Sequence, residues 1–196
     1  MTQDDEAKIV ALMREARAKS RGYADYFLWA IDRDMEEWGV VTSLAESLRL
    51  DGSLFFEKLR RRGRPNDPPD CEAVDASGRR LAIEVTELVD SEAIRAYKRG
   101  KIYDWAEWGQ DKFLLNLAKC LAAKDERFNA LKGGPYDAGY VVVVHTDEPL
   151  LSYEVVKSFL KEHSFPPCRH VSRAFLVLSW DPREDRCPYV ELRFHE

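Results

Sequence analysis

The chain has 196 residues, of which 45% are hydrophobic and 33% charged, enough for one full hydrophobic core in a soluble globular protein. Its formal net charge of -5 argues against a globally basic nucleic-acid binder, so any such contact would need a local basic patch. The acidic start Met1-Thr2-Gln3-Asp4-Asp5-Glu6 is unlike a secretory leader, and no apolar run approaches membrane-spanning length. Cys71, Cys120, Cys168 and Cys187 lack any C-x-x-C spacing. The expected setting is therefore cytoplasmic, with reduced thiols and Cys71 and Cys120 in the core.

Helical periodicity predicts a first helix over residues 4–19, through Ile9, Leu12, Met13 and Ala16. An aromatic-rich second helix over 23–38 ends at Gly39. A third, capped by Thr42-Ser43, runs to Leu50 and stops at Asp51-Gly52. Residues 54–59 read as a further helical turn. This divides the chain into a helical extension, 1–39, and an α/β domain, 40–196, which can also be one continuous unit. The basic run Arg60, Arg61, Arg62 and Arg64 follows. It is either a solvated face or an arm that tracks phosphates, for which arginine is suited. Pro65, Pro68 and Pro69 hold the next residues extended.

Residues 70–86 read as a β-hairpin around Asp75-Ala76-Ser77-Gly78. Asp at the first position and Gly at the fourth mark a type I turn, and a three-residue loop puts the Gly in the left-handed conformation. Asp75 then pairs with Arg79 and Asp70 faces Glu84. Strand alternation puts Asp70, Glu72, Val74, Arg80, Ala82, Glu84 and Thr86 on one face. Cys71, Ala73, Leu81, Ile83 and Val85 form an apolar face for a helix. A two-residue loop would separate the two acids. Directly opposed carboxylates repel, so the pair asks for a metal ion or a lysine; the plainer reading is a solvated face with Arg80 as counter-ion.

After Thr86 a short helix is expected over 91–99 and a longer one over 104–130, with a break or kink at Gly109. On the longer helix Gln110, Leu114, Leu117, Leu121 and Phe128 share a face, with Lys124 at its edge, while Lys112, Asn116 and Lys119 point away. Tyr140-Val141-Val142-Val143-Val144 is a strand buried on both faces, followed by a loop containing His145. A helix over 152–163 and strands over 174–180 and 189–194 complete the order. Strands and helices in this sequence make an α/β fold, a mixed central sheet with an antiparallel hairpin and flanking helices.

Pro69-Asp70, with Glu84-Val85-Thr86 fourteen residues beyond Asp70, resembles the PD-(D/E)xK nuclease superfamily, in a lineage with Glu-Val-Thr in place of Glu-x-Lys. The resemblance spans roughly residues 40–150 and implies a restriction-endonuclease-like core. It implies Asp70, Glu84 and the Val85 carbonyl as ligands of Mg2+ or Mn2+, with Glu46 as an acid from the preceding helix. Thr86 stands at the lysine position. Some members supply the lysine from the following helix, and Lys124 is then the candidate. Gln110 is a second polar candidate, or a hydrogen-bonded core glutamine. The implied activity is metal-dependent hydrolysis of phosphodiester bonds, in DNA ahead of RNA, with a homodimer as one open assembly state. The alternatives are a non-catalytic nuclease-fold module binding nucleic acid or protein, and an α/β protein of unrelated chemistry.

Overall fold

The computed structural model describes residue 11 and residues 23–24, 33–99 and 106–195. The helix expected over 4–19 and most of the one over 23–38 lie outside the described residues. Helix α1 (Arg33–Leu50) opens the main described part, followed by β1 (Glu57–Arg61), β2 (Cys71–Val74) and β3 (Arg80–Glu87). Helices α2 (Ser91–Lys98) and α3 (Gln110–Glu126) lead to β4 (Gly139–Thr146). Helix α4 (Tyr153–Leu160), β5 (Val171–Leu178) and β6 (Tyr189–Glu191) follow. The six strands lie side by side in chain order. Pairing is antiparallel from β1 to β3, parallel from β3 to β5 and antiparallel again at β6. The α/β class and the mixed sheet are as expected.

Helix α1 runs without a break through Gly39 and Thr42, where a stop and a new cap were expected, and so crosses the 39/40 boundary between extension and domain. Thr42 Oγ1 bonds back to the carbonyls of Trp38 and Gly39, at 2.9 and 3.0 Å, so its hydroxyl is used inside the helix rather than at its start. Tertiary packing overrides the local signals: Val40, Val41, Leu44, Ala45 and Leu48 are buried against Cys71, Ala73, Leu81, Ile83 and Val85. The expected stop is correct. Gly52 has φ +66°, and Ser53 N–H returns to the Leu48 carbonyl at 2.9 Å.

Residues 57–61 form edge strand β1, not the tail of a helical turn. On the opposite face of the sheet, α3 and α4 pack Phe113, Leu117, Leu121, Val156 and Leu160 against Ala82, Tyr140, Val142, Val144, Ala174 and Leu176. The buried stripe of α3 is Phe113, Leu117, Leu121 and Lys124, rotated from the stripe expected through Gln110 and Leu114. Lys124 therefore lies in the stripe, not at its edge. Gly109 is the N-cap of this helix, and Lys112 turns away to Asp90, the N-cap of α2, at 2.7 Å. Among the described residues no helix is long and apolar enough to cross a membrane.

The hairpin register is the expected one. Cys71 pairs with Ile83, Ala73 with Leu81 and Val74 with Arg80, and Gly78 N–H closes the turn onto the Asp75 carbonyl at 2.9 Å. Gly78 sits at φ +77° with open space around it. Gly78→Ala should therefore destabilise the protein through backbone strain alone, by about 1–2 kcal/mol, read from urea unfolding midpoints at unchanged slope.

Candidate functional site

Strand β2 stops at Cys71, whereas β3 continues to Glu87, and the sequence before β2 explains the difference. Asp75 N–H bonds the Arg79 carbonyl at 2.9 Å, which makes these two residues a hydrogen-bonded pair. Such pairs recur at every second position of an antiparallel ladder. They continue through Ala73/Leu81 and Cys71/Ile83, and the next would be Pro69/Val85. Proline has no N–H to give the Val85 carbonyl. The Val85 N–H turns instead to Asp70 Oδ2, at 2.7 Å. Beyond that point the hairpin-side edge of β3 is left open, with the Val85 carbonyl on the same side as its N–H.

Two carboxylates and a lysine meet at this notch. Asp70 and Glu84 stand opposite each other by extension of the register, only 9% and 1% exposed. Lys124 comes down from the last turn of α3, 6% exposed, with Nζ 3.4 Å from Glu84 Oε1. The other oxygen of Glu84 accepts a hydrogen bond from the Tyr140 hydroxyl. Glu37, in the first turns of α1, is close enough to act electrostatically on Asp70. A pocket of about 380 Å³ opens here, lined by Glu36, Glu37, Val85, Thr86, Glu87, Lys124, Arg127 and His145. It lies at the carboxyl ends of the parallel strands β3 and β4, where α/β sheets commonly bind ligands.

Burial dominates the electrostatics of Asp70. Burial pushes the Asp70 carboxyl up to about 7, with Glu37 and then Glu84 adding to the rise, against the lowering effects of Lys124 and the Val85 N–H. Burial and the neighbouring Glu84 carboxylate also raise the Tyr140 phenol, so it serves only as a proton donor.

Among the described residues no three His, Cys, Asp or Glu side chains form a ready-made metal cage. The donor set is nevertheless one that a hard divalent cation uses. It is all oxygen, with two carboxylates and a carbonyl, and magnesium is commonly held by one or two carboxylates completed by water and substrate phosphate. Two carboxylates brought together away from water also favour a cation between them. Asp70, Glu84 and Val85 are the residues that would hold it.

Of the other residues singled out in the sequence, Lys124 and Thr86 line the pocket, and Gln110 and Glu46 do not. Gln110 is the first residue of α3, exposed, with Nε2 donating to the Phe159 carbonyl at 3.1 Å. Fourteen residues of helix place it roughly 21 Å along the axis from Lys124. Glu46 is exposed and borders a separate groove between α1 and β1 with Trp38 and Arg49. Nine residues after Glu37, it lies about two and a half turns on, on the opposite side of α1. The acids of this helix that line the pocket are Glu36 and Glu37, and Glu37 continues the stripe of Val41, Leu44 and Leu48 past the sheet. That i, i+4, i+7, i+11 spacing was the signal for it.

His145 belongs to β4, not to a loop, and is buried with Nε2 3.6 Å from Glu36 Oε1. Arg62 is structural: its guanidinium bonds Glu72 at 2.9 Å and the carbonyls of Asn66 and Lys132 at 2.9 and 3.2 Å. Arg80 pairs with Glu72 at 2.6 Å rather than serving as counter-ion to Asp70 and Glu84. Arg60, Arg61 and Arg64 are exposed along the edge that leads to the notch. No protein-family model, curated protein or solved structure matches the chain.

The raised Asp70 value sets a pH dependence. Its folded-state carboxyl titrates near 7 and its unfolded one near the ordinary aspartate value of 3.8. Between those values the native protein holds a proton that the unfolded chain releases, so the metal-free fold loses stability as pH rises through the window. Asp70→Asn should thus raise the melting temperature in EDTA at pH 8 by several degrees. The gain should shrink as the pH is lowered to about 4, in thermal melts across that range.

Proposed function

We propose that this chain is a divalent-metal-dependent nuclease that hydrolyses phosphodiester bonds of nucleic acid, DNA ahead of RNA. The observation that carries the reading is the meeting of Asp70, Glu84 and Lys124 at the open edge of β3, where Pro69 leaves the Val85 carbonyl without a strand partner. The helix, three-strand meander, helix and parallel strand seen from α1 to β4 support a restriction-endonuclease-like core. Asp70, Glu84 and Val85 would hold the ion, Mg2+ or Mn2+. When bound, the ion supplies an activated water and neutralises charge on the phosphoryl oxygens.

The chain's own residues do the rest. Lys124 replaces the lysine absent at Thr86: its ammonium, presented beside Glu84, orients the attacking water and stabilises the charge that develops. The Val85 N–H anchors Asp70 through Oδ2. Arg60, Arg61 and Arg64 offer point charges to a polyanionic backbone, and Arg127 lines the pocket itself. Hydrolysis adds water across one phosphorus–oxygen bond, leaving a phosphate on one fragment and a hydroxyl on the other.

A second reading, a non-catalytic nuclease-fold module, is favoured by one observation. Lys124 already supplies an internal counter-charge to Glu84, and Thr86 offers no second cation. The two readings separate in one assay: purified protein with Mg2+ or Mn2+ and labelled DNA or RNA. Cleavage that is lost in Glu84→Gln and falls by about 10²–10³-fold in Lys124→Met supports the nuclease. Binding without cleavage in any metal supports the module, and neither binding nor cleavage removes both.

The arginines separate too. Replacing Arg60, Arg61 and Arg64 together by Ala should weaken nucleic-acid binding and flatten its salt dependence, by about one unit of slope for each phosphate no longer neutralised. Arg62→Ala should instead lower the melting temperature, because it removes a partner of the half-buried Glu72.

A further inference from the structure

Tyr140 is the one aromatic residue at the start of an otherwise β-branched run, Tyr140-Val141-Val142-Val143-Val144. It is fully buried at 0% exposure. A buried phenol needs a partner for its hydroxyl, and a strand that only filled a core would take phenylalanine or valine here. The partners it has belong to the candidate site. Its hydroxyl donates to Glu84 Oε2 and lies 3.2 Å from the Lys124 carbonyl, touching both the β3 acid and the helix that carries the lysine.

The backbone explains how it reaches them. Tyr140 stands beside Ala82 in the β3/β4 register, and Glu84 stands beside Val142. Tyr140 and Glu84 are thus diagonal neighbours on one face, and the small Ala82 leaves room for the ring to lean towards the acid. The ring is held from the other side by Phe128, with centroids 5.6 Å apart. The two oxygens of Glu84 consequently have separate tasks. Oε2 accepts from the phenol, and Oε1 stands 3.4 Å from Lys124 Nζ.

We infer that Tyr140 is a positioning residue that makes Glu84 a one-oxygen ligand for a divalent cation and fixes that oxygen relative to Lys124. The inference rests on the metal-dependent reading proposed above. Without the hydroxyl, Glu84 can rotate and offer both oxygens to the ammonium of Lys124, which then competes with the ion. Outer-shell partners of metal ligands typically control affinity or activity by about 10–100-fold.

The test is isothermal titration of the full-length protein with Mn2+, in the wild type, Tyr140→Phe, Glu84→Gln and the double variant. Expected is a roughly 10–100-fold weaker Mn2+ affinity in Tyr140→Phe, with circular dichroism unchanged, and no further loss when Tyr140→Phe is added to Glu84→Gln. Nuclease activity of Tyr140→Phe should return as Mn2+ is raised, a rescue that a merely structural role would not give. An unchanged affinity in Tyr140→Phe overturns the inference while leaving the metal-dependent reading intact. So does a loss that adds in full to that of Glu84→Gln. Should Tyr140→Phe not fold, Phe128→Leu, which loosens the ring without removing its hydroxyl, must weaken Mn2+ binding, and unchanged affinity there counts against the inference. Absence of Mn2+ binding in the wild type removes both the reading and the inference.

Discussion

The whole site depends on the register of one hairpin and on where its ladder ends. Gly78, in the left-handed conformation, sets the count of residues in the turn. That count brings Asp70 to Glu84 and sends the apolar residues of both strands to the α1 side. At the other end Pro69 occupies the next hydrogen-bonded position and has no N–H to offer Val85. A strand that continued two residues further would bond the Val85 carbonyl and cover the edge of β3. The two adjacent residues Pro69 and Asp70 thus have complementary effects, one ending the ladder and the other satisfying the amide left over.

Electrostatics then constrains what may surround the hairpin. Two carboxylates facing each other in a region sheltered from water are unstable without positive charge nearby. The fold meets part of that need with Lys124, a lysine in the apolar stripe of α3. Asp70 is still held above the usual carboxylate range, by burial first and then by Glu37 from the opposite layer. A buried carboxyl with a strongly raised pKa in a cleft is a common mark of functional sites. Asp125, next to Lys124, accepts three backbone N–H groups from Arg169, His170 and Val171 at 2.7–3.0 Å, which holds its carboxyl below the ordinary value and ties the end of α3 to the start of β5.

Glu37, Tyr140 and Lys124 approach the notch from three elements in different layers: a helix on one face, a strand in the sheet and a helix on the other face. This is why the pocket has mixed character. Its acids come from α1 and β3, and its cations come from the end of α3.

Features fixed by neighbours in the chain were legible in the sequence. The Asp75–Gly78 turn, the alternation that divides the hairpin faces and the valine run of β4 depend only on local conformational preference and period-two geometry. They were enough to bring Asp70 opposite Glu84, while Lys124 came from its helix face and from the resemblance. The break at residue 39, the helical turn before Arg60 and the role of Gln110 were read from equally local signals, but contacts from elsewhere override them. Val40, Val41 and Leu44 gain more from burial on the sheet than Gly39 and Thr42 lose inside a helix, and residues 57–61 gain hydrogen bonds from β2. Which acid of α1 comes near Asp70 and which tyrosine reaches Glu84 depends on how far each helix slides over the sheet and on the small Ala82 beside Tyr140. Those are distances between segments far apart in sequence, and only packing in three dimensions decides them.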